Sequence, residues 1–290
     1  MKFGYLLLLP LVLPGYLSKP SPAQTEGGYK IAVCDWMILK RQKPGAFDRT
    51  KEIGADGLEL DMGGLGDRPT FDNQLLNPVH RKEFLDAADR TGLEIASIAM
   101  SGFYAQNFAT RDGIERIMDD CINTMNLLGV KTAFLPLGVQ NDLTKYPELR
   151  PAIVERLKLF GQKAEAAGVI IGIETALSAE EEVKLLEEID SDAVQIYFNF
   201  QNPLEAGRDL YDELKILGKD RICQIHATDT DGVWLEKNTR IDMPRVKKLL
   251  DEMGWSGWLV IERSRDKDNA RDVIGNYGAN TRFLKSVFQK

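Results

Sequence analysis

One phrase recurs along this chain and limits what it can fold into: a helical pattern, a glycine, then a short apolar run. It occurs in EIGADGLEL, RTGLEIASI, LLGVKTAFL, AAGVIIGIE, ILGKDRICQIH and EMGWSGWLVIE, with Gly54, Gly92, Gly129, Gly168, Gly218 and Gly254 as pivots. A glycine just past a helix end supplies a left-handed cap, and the apolar run that follows has the length of a strand. The pivots stand 36 to 39 residues apart, except for Gly168 and Gly218. That wider gap holds a further unit without its glycine, a helix over 178–189 and then the strand VQIYFN. With KIAVCDW at 30–36 as the first strand, the chain predicts about eight strand and helix alternations joined by short loops. This is the α/β pattern of a single closed (β/α)8 TIM barrel, favoured over an open doubly wound sheet. No glycine-rich dinucleotide fingerprint follows the first strand, which also counts against the open sheet.

The barrel does not need the amino terminus. In MKFGYLLLLPLVLPGYLSKPSPAQ, Lys2 precedes a leucine-rich run, and SPAQ offers small residues for cleavage near Ala23. Pro10, Pro14 and Pro20 would each interrupt a helical ladder, so a signal peptide over 1–24 is expected rather than a core helix. The expected product is an exported protein, periplasmic or secreted, whose single domain covers 25–290. That domain has the length of one eight-fold barrel, roughly 250 residues. The net charge is −7, and loss of Lys2 and Lys19 makes the remainder more acidic. Nucleic acid is therefore a poor partner, because phosphate binding needs a basic footprint. Stable membrane insertion after cleavage is not expected, and an oligomer stays open. Cys34, Cys121 and Cys223 are odd in number, and Cys34 and Cys223 lie in apolar runs, so buried thiols are expected rather than a disulfide framework.

Side chains along a strand alternate between faces, so parity separates a row facing the helices from a row facing the barrel interior. In VIIGIET, Val169, Ile171 and Ile173 form the outer row and Glu174 joins Ile170 and Gly172 inside. The same parity puts Gln195, Tyr197 and Asn199 inside in VQIYFN, and Ile222, Gln224 and His226 inside in RICQIH. In WLVIE the inner row is Trp258, Val260 and Glu262. Four successive strands thus end inward on Glu174, Asn199, His226 and Glu262. Carboxylate, amide and imidazole groups at that position suit a divalent cation such as Mn²⁺, Co²⁺, Mg²⁺ or Zn²⁺.

Gln195 and Gln224 lie one inner layer below, either orienting those ligands or forming an inner amide pair with a purely structural hydrogen bond. Asp229, or a backbone carbonyl, is the expected partner of the second ring nitrogen of His226. Other strand ends add Asp35 with Trp36, Glu59 with Asp61, and Phe103 with Tyr104, while Trp234 follows the seventh strand. These predict a polar and aromatic pocket suited to a sugar, whose faces are apolar and whose rim is hydroxyls. His80, at an amphipathic helix start, reads as a surface residue.

The segments GIET, YFNFQN, QIHATD with a later glycine, and GWSGWLVIER resemble the sugar isomerase and epimerase superfamily with the xylose-isomerase-like barrel. That group also contains the endonuclease IV type of repair enzyme. The resemblance covers nearly all of the chain after residue 24. It implies a glutamate, aspartate, histidine and glutamate ligand set falling on Glu174, Asn199, His226 and Glu262, with the two glutamates on opposite sides of the sugar moving protons. This chain departs from the pattern at Asn199, an uncharged ligand. Asn202 occupies a place where several epimerases carry a substrate-contacting histidine. The substrate contacts expected on this reading are Trp36, Glu59, Tyr104, Asn202, Asp229, Trp234 and Arg263. The activity expected is isomerisation or epimerisation of a non-phosphorylated sugar or keto-sugar through an enediolate. Elimination from a keto-glycoside at the same site, and a non-catalytic carbohydrate-binding barrel, are the alternatives. A repair nuclease would need a three-metal cluster with several more histidines.

Overall fold

A computed structural model of the protein describes residues 28–290, so the expected signal at 1–24 lies outside the described residues. Eight parallel strands close on themselves in chain order, the last pairing with the first. They are β1 (Lys30–Cys34), β2 (Gly57–Asp61), β3 (Glu94–Ala99), β4 (Thr132–Pro136), β5 (Ile170–Glu174), β6 (Val194–Asn199), β7 (Ile222–His226) and β8 (Trp258–Ile261). Every residue of β2, β4, β5, β6, β7 and β8 is buried, as expected for parallel strands covered on both faces.

The helices that cover the barrel are α1 (Gly45–Ile53), α2 (Pro78–Thr91), α3 (Ile114–Leu128), α4 (Arg150–Ala167), α5 (Ala179–Ile189), α6 (Gln201–Glu205), α7 (Leu210–Leu217), α8 (Met243–Met253) and α9 (Val273–Phe288). The glycine at the end of α4 caps as its position predicts: Gly168 takes φ 66°, and its N–H bonds back to Ala164 and Glu165 carbonyls. The unit that lacks a glycine solves the same problem with Asp190, left-handed at φ 54° and donating to the Leu186 carbonyl. Aspartate tolerates this region better than most residues, so the repeat survives the missing glycine. No described helix is long and apolar enough to cross a membrane. The three cysteines are free and buried.

One interior glycine shapes the layer beneath the site. A β-carbon on Gly172 in β5 would stand 2.5 Å from Cys223 Sγ and 3.0 Å from the Tyr197 ring. Its absence lets Tyr197, fully buried, lie across the barrel and send its hydroxyl to β2. The pairing of β6 with β7 shifts register between Ile196 and Tyr197, after which Asn199 lies opposite His226. That register places two candidate groups side by side at the carboxyl end of the barrel, where enzymes of this architecture hold their active sites.

Candidate active site

At the carboxyl ends of β5, β6, β7 and β8 the structure gathers Glu174, Asn199, His226 and Glu262, all 5% exposed or less. His226 is the centre of the group. Its Nδ1 lies 2.8 Å from Glu174 Oε2, and its Nε2 lies 3.2 Å from Glu59 Oε1. Two carboxylates on one imidazole favour a proton on each nitrogen. Burial by itself would lower the histidine's pKa, but the bonds to Glu174 and Glu59 outweigh it and push it up to about 10.

Neither Asp229 nor a backbone carbonyl holds the second ring nitrogen; Glu59 does. This carboxylate, expected as a pocket wall, is fully buried in mid-barrel. It accepts hydrogen bonds from Ser97 Oγ at 2.6 Å and Tyr197 Oη at 2.8 Å, with Cys34 Sγ 3.5 Å away. Gln224 extends the network, its Oε1 3.0 Å from the Tyr197 hydroxyl and its Nε2 donating to the Ala96 carbonyl. Gln195 takes no part in it. Its amide donates to the Asp192 carbonyl at the far end of β6. Ser97 and Cys34 escaped the sequence reading as site residues. Strand parity in EIASIA could have flagged Ser97 as a polar group in an otherwise apolar strand interior.

Glu262 sits in different surroundings. Tyr104, at the end of the short turn Ser101–Tyr104, donates its hydroxyl to Glu262 Oε1 at 3.0 Å. The Glu262 carbonyl accepts from Tyr277 Oη in α9, which fixes the backbone that carries the carboxylate. Burial raises the Glu262 carboxyl above its ordinary range, and nearby His226 opposes that rise. Two residues on, Ser264 is left-handed at φ 64° and fully buried. Its hydroxyl accepts from the Asp229 N–H at 2.8 Å, locking the loop after β7 to the end of β8. A non-glycine residue in that region carries strain, and such strain concentrates where geometry matters for function.

The remaining candidates spread around this centre. Asn202, in the first turn of α6, donates to the Thr175 carbonyl at 2.9 Å. Asp229 is buried and holds its own loop, accepting from Asn238 Nδ2 at 2.8 Å. Trp234 is half-buried and donates its indole N–H to Asn276 Oδ1. Trp36 is half-buried after β1, and Arg263 is exposed, its backbone N–H bonded to Thr228 Oγ1. Asp35 and Asp61 are fully buried beside one another and both are raised by burial, Asp61 to about 6. They are too enclosed to serve as open walls. His80 is half-buried at the surface of α2, its Nδ1 3.3 Å from Glu83. Behind β5, Thr175 donates to the buried Glu182 at 2.7 Å, and burial pushes that carboxyl up to about 8. A cavity of about 770 Å³ opens near Tyr29, Lys30, Asp56, Glu94 and Lys285, at the opposite end of the barrel from these groups. Two of its lysines are already paired, Lys30 with Glu94 and Lys285 with Asp56.

By residue type, three of the four expected positions suit a divalent cation. Glu174 and Glu262 carry carboxylate oxygens, and His226 would offer Nδ1 once a cation displaced the proton shared there with Glu174, while Glu59 keeps the opposite nitrogen, the usual arrangement for a ligating histidine. Asn199 fits differently. Its Oδ1 accepts the Gln201 backbone N–H at 2.9 Å, and its Nδ2 donates to Glu174 Oε2 at 3.1 Å. The group it turns toward Glu174 is thus a donor and not the lone pair expected from the sequence. Among the described residues, the group whose potential ligand atoms all lie within 4.8 Å of one another is Cys34, Glu59 and His226, and all three are fully buried.

A family model described as xylose isomerase-like TIM barrel matches residues 47–287. A 2-epi-5-epi-valiolone 7-phosphate 2-epimerase from Actinoplanes sp. is 26% identical over 208 residues, 69% of this chain and 72% of that protein. Among solved structures, a 3-keto-D-glucoside 4-epimerase from E. coli superposes with a TM-score of 0.67 at 20% identity, covering 89% of this chain and 99% of the other. A D-psicose 3-epimerase from Clostridium cellulolyticum, solved with D-tagatose, gives a TM-score of 0.69 at 15% identity over 89% of this chain and 99% of its own. At those identities the two structures establish the shared fold.

Proposed function

The chain belongs to the xylose isomerase-like TIM barrel family and is an enzyme of the sugar isomerase and epimerase type, and we propose that it acts on a non-phosphorylated sugar or keto-sugar through an enediolate. The observation that carries this reading is the pair of buried carboxylates, Glu174 and Glu262, at the carboxyl ends of β5 and β8 with unlike partners. Moving a carbonyl along a sugar, or inverting the carbon beside it, requires removal of a weakly acidic C–H proton and its return to another position or face. A carboxylate within reach of the carbon does the first, and a second carboxyl does the other. Glu174 takes the proton and Glu262, steadied by the Tyr104 hydroxyl, returns one. Glu174, His226 and Glu262 would hold a divalent cation, Mn²⁺, Co²⁺, Mg²⁺ or Zn²⁺, which supplies positive charge for the enediolate oxygens. Glu59 keeps the His226 ring from turning. Trp36, Trp234, Asn202 and Arg263 are the contacts for the rest of the sugar, whereas Asp229, buried and bonded within its own loop, is too enclosed to be one.

The direct test is solvent exchange. The purified protein, supplied with Mn²⁺ and incubated in D₂O with free ketoses and 3-keto-glucosides, is expected to place deuterium on the carbon next to the carbonyl, read by NMR. With a keto-glycoside, release of the aglycone alongside exchange would identify elimination as the outcome of the same proton removal. Binding of these sugars with no exchange at any carbon would reduce the protein to a carbohydrate-binding barrel.

A further inference from the structure

Asparagine and aspartate are nearly the same shape, yet only one of them can satisfy two different demands at position 199. The first demand is local. Asn199 is the last residue of β6, and α6 starts at Gln201. The Gln201 N–H is one of the donors left over at a helix start, and it points at the residue 199 side chain from 2.9 Å. A donor must be met by an oxygen, so the amide of Asn199 can sit only one way round: Oδ1 toward Gln201 and Nδ2 toward Glu174. The second contact agrees independently, since Nδ2 lies 3.1 Å from the carboxylate oxygen that also faces His226. Turning the amide over would set N–H against N–H at one end and oxygen against carboxylate at the other. Each is unfavourable in a side chain only 4% exposed.

We infer that Asn199 is a hydrogen-bond donor that positions Glu174 and is not a metal ligand, so that a cation at this site has three protein ligands, Glu174, His226 and Glu262. This rests on the metal-assisted reading proposed above and specifies it. An aspartate here would keep one oxygen on the Gln201 N–H and turn the other toward the cation, adding a fourth ligand and a negative charge. The three-ligand site is less neutralised and leaves one more position for substrate oxygens. A donor on Glu174 also holds that carboxylate in one rotamer.

The test compares wild type with Asn199→Ser and Asn199→Asp by calorimetric titration of Mn²⁺ alone, with thermal unfolding of each metal-free variant as a check on folding. Serine keeps an oxygen for the helix start and removes the amide. The expected result is a Mn²⁺ affinity for Asn199→Ser within about threefold of wild type, and an affinity for Asn199→Asp at least about tenfold tighter. The kcat of Asn199→Ser should fall with its metal affinity kept, because Glu174 loses its positioning donor. A folded Asn199→Ser that loses about tenfold or more in Mn²⁺ affinity would make Asn199 a ligand and overturn the inference. Absence of Mn²⁺ binding in wild type and Asn199→Asp alike would overturn the three-ligand site. The first result leaves deuterium exchange by wild type untouched, and after the second the exchange assay run with and without Mn²⁺ shows whether proton removal survives loss of the cation, so failure of the inference and failure of the functional reading can be told apart.

Discussion

Glu174 and Glu262 have the same functional group in unlike settings, one against an imidazole and an amide, the other against a phenol. If both move protons, Glu174→Gln and Glu262→Gln should each lower turnover by at least about 10²-fold, the lower end of general acid–base contributions. Steady-state kinetics on the sugar that exchanges deuterium checks this, and near-normal turnover in either variant would remove that residue from the mechanism. Both glutamates were legible in the sequence because alternation along a short strand fixes which face a terminal residue shares. Alternation cannot say what lies across the barrel. The bond between His226 and Glu59 joins residues 167 positions apart. It depends on closure of the barrel, and so Asp229, the near neighbour in sequence, was the wrong candidate for that partner. The orientation of the Asn199 amide was hidden for a related reason, since it is set by a backbone N–H whose direction appears only once α6 has formed.

The recurring units were easier to read than the residues they carry. Helix, glycine and apolar run are local patterns, and even the unit without a glycine was found from its strand, because the cap is a small contribution beside burial of a five- or six-residue strand. What the pattern did not reveal is the charge trapped between elements. Glu182 of α5 is buried against Thr175 at the end of β5, with Glu213 of α7 nearby. Its carboxyl is raised from 4.5 to about 8, so between those pH values the folded chain keeps a proton that the unfolded chain has released. This contribution to stability is complete below about pH 4.5 and is lost as pH rises through 8. Glu182→Gln cannot titrate and should flatten the slope. Urea midpoints at pH 5 and pH 9 are expected to differ less in the variant than in wild type, by an amount equivalent to a few kcal/mol. An unchanged difference would mean that Glu182 is ionised throughout.

Over the described residues the chain forms one closed sheet with the candidate site at one rim. We propose that it reaches its place of work by export, with residues 1–24 removed. Mass spectrometry of the protein recovered from its native host should find an amino terminus near Gln24, and an intact Met1 on the recovered protein would exclude that processing. The last strand to be made, Trp258–Ile261, is also the one that seals the first, pairing Lys30 with Trp258 and Val33 with Ile261. Until the strand Trp258–Ile261 has been made, the nascent chain therefore carries two raw sheet edges and lacks Glu262. A message truncated shortly before that strand would yield a polypeptide that holds Glu174 and His226 but exposes a sticky β-edge, so such products belong to the chaperones and proteases that watch over translation.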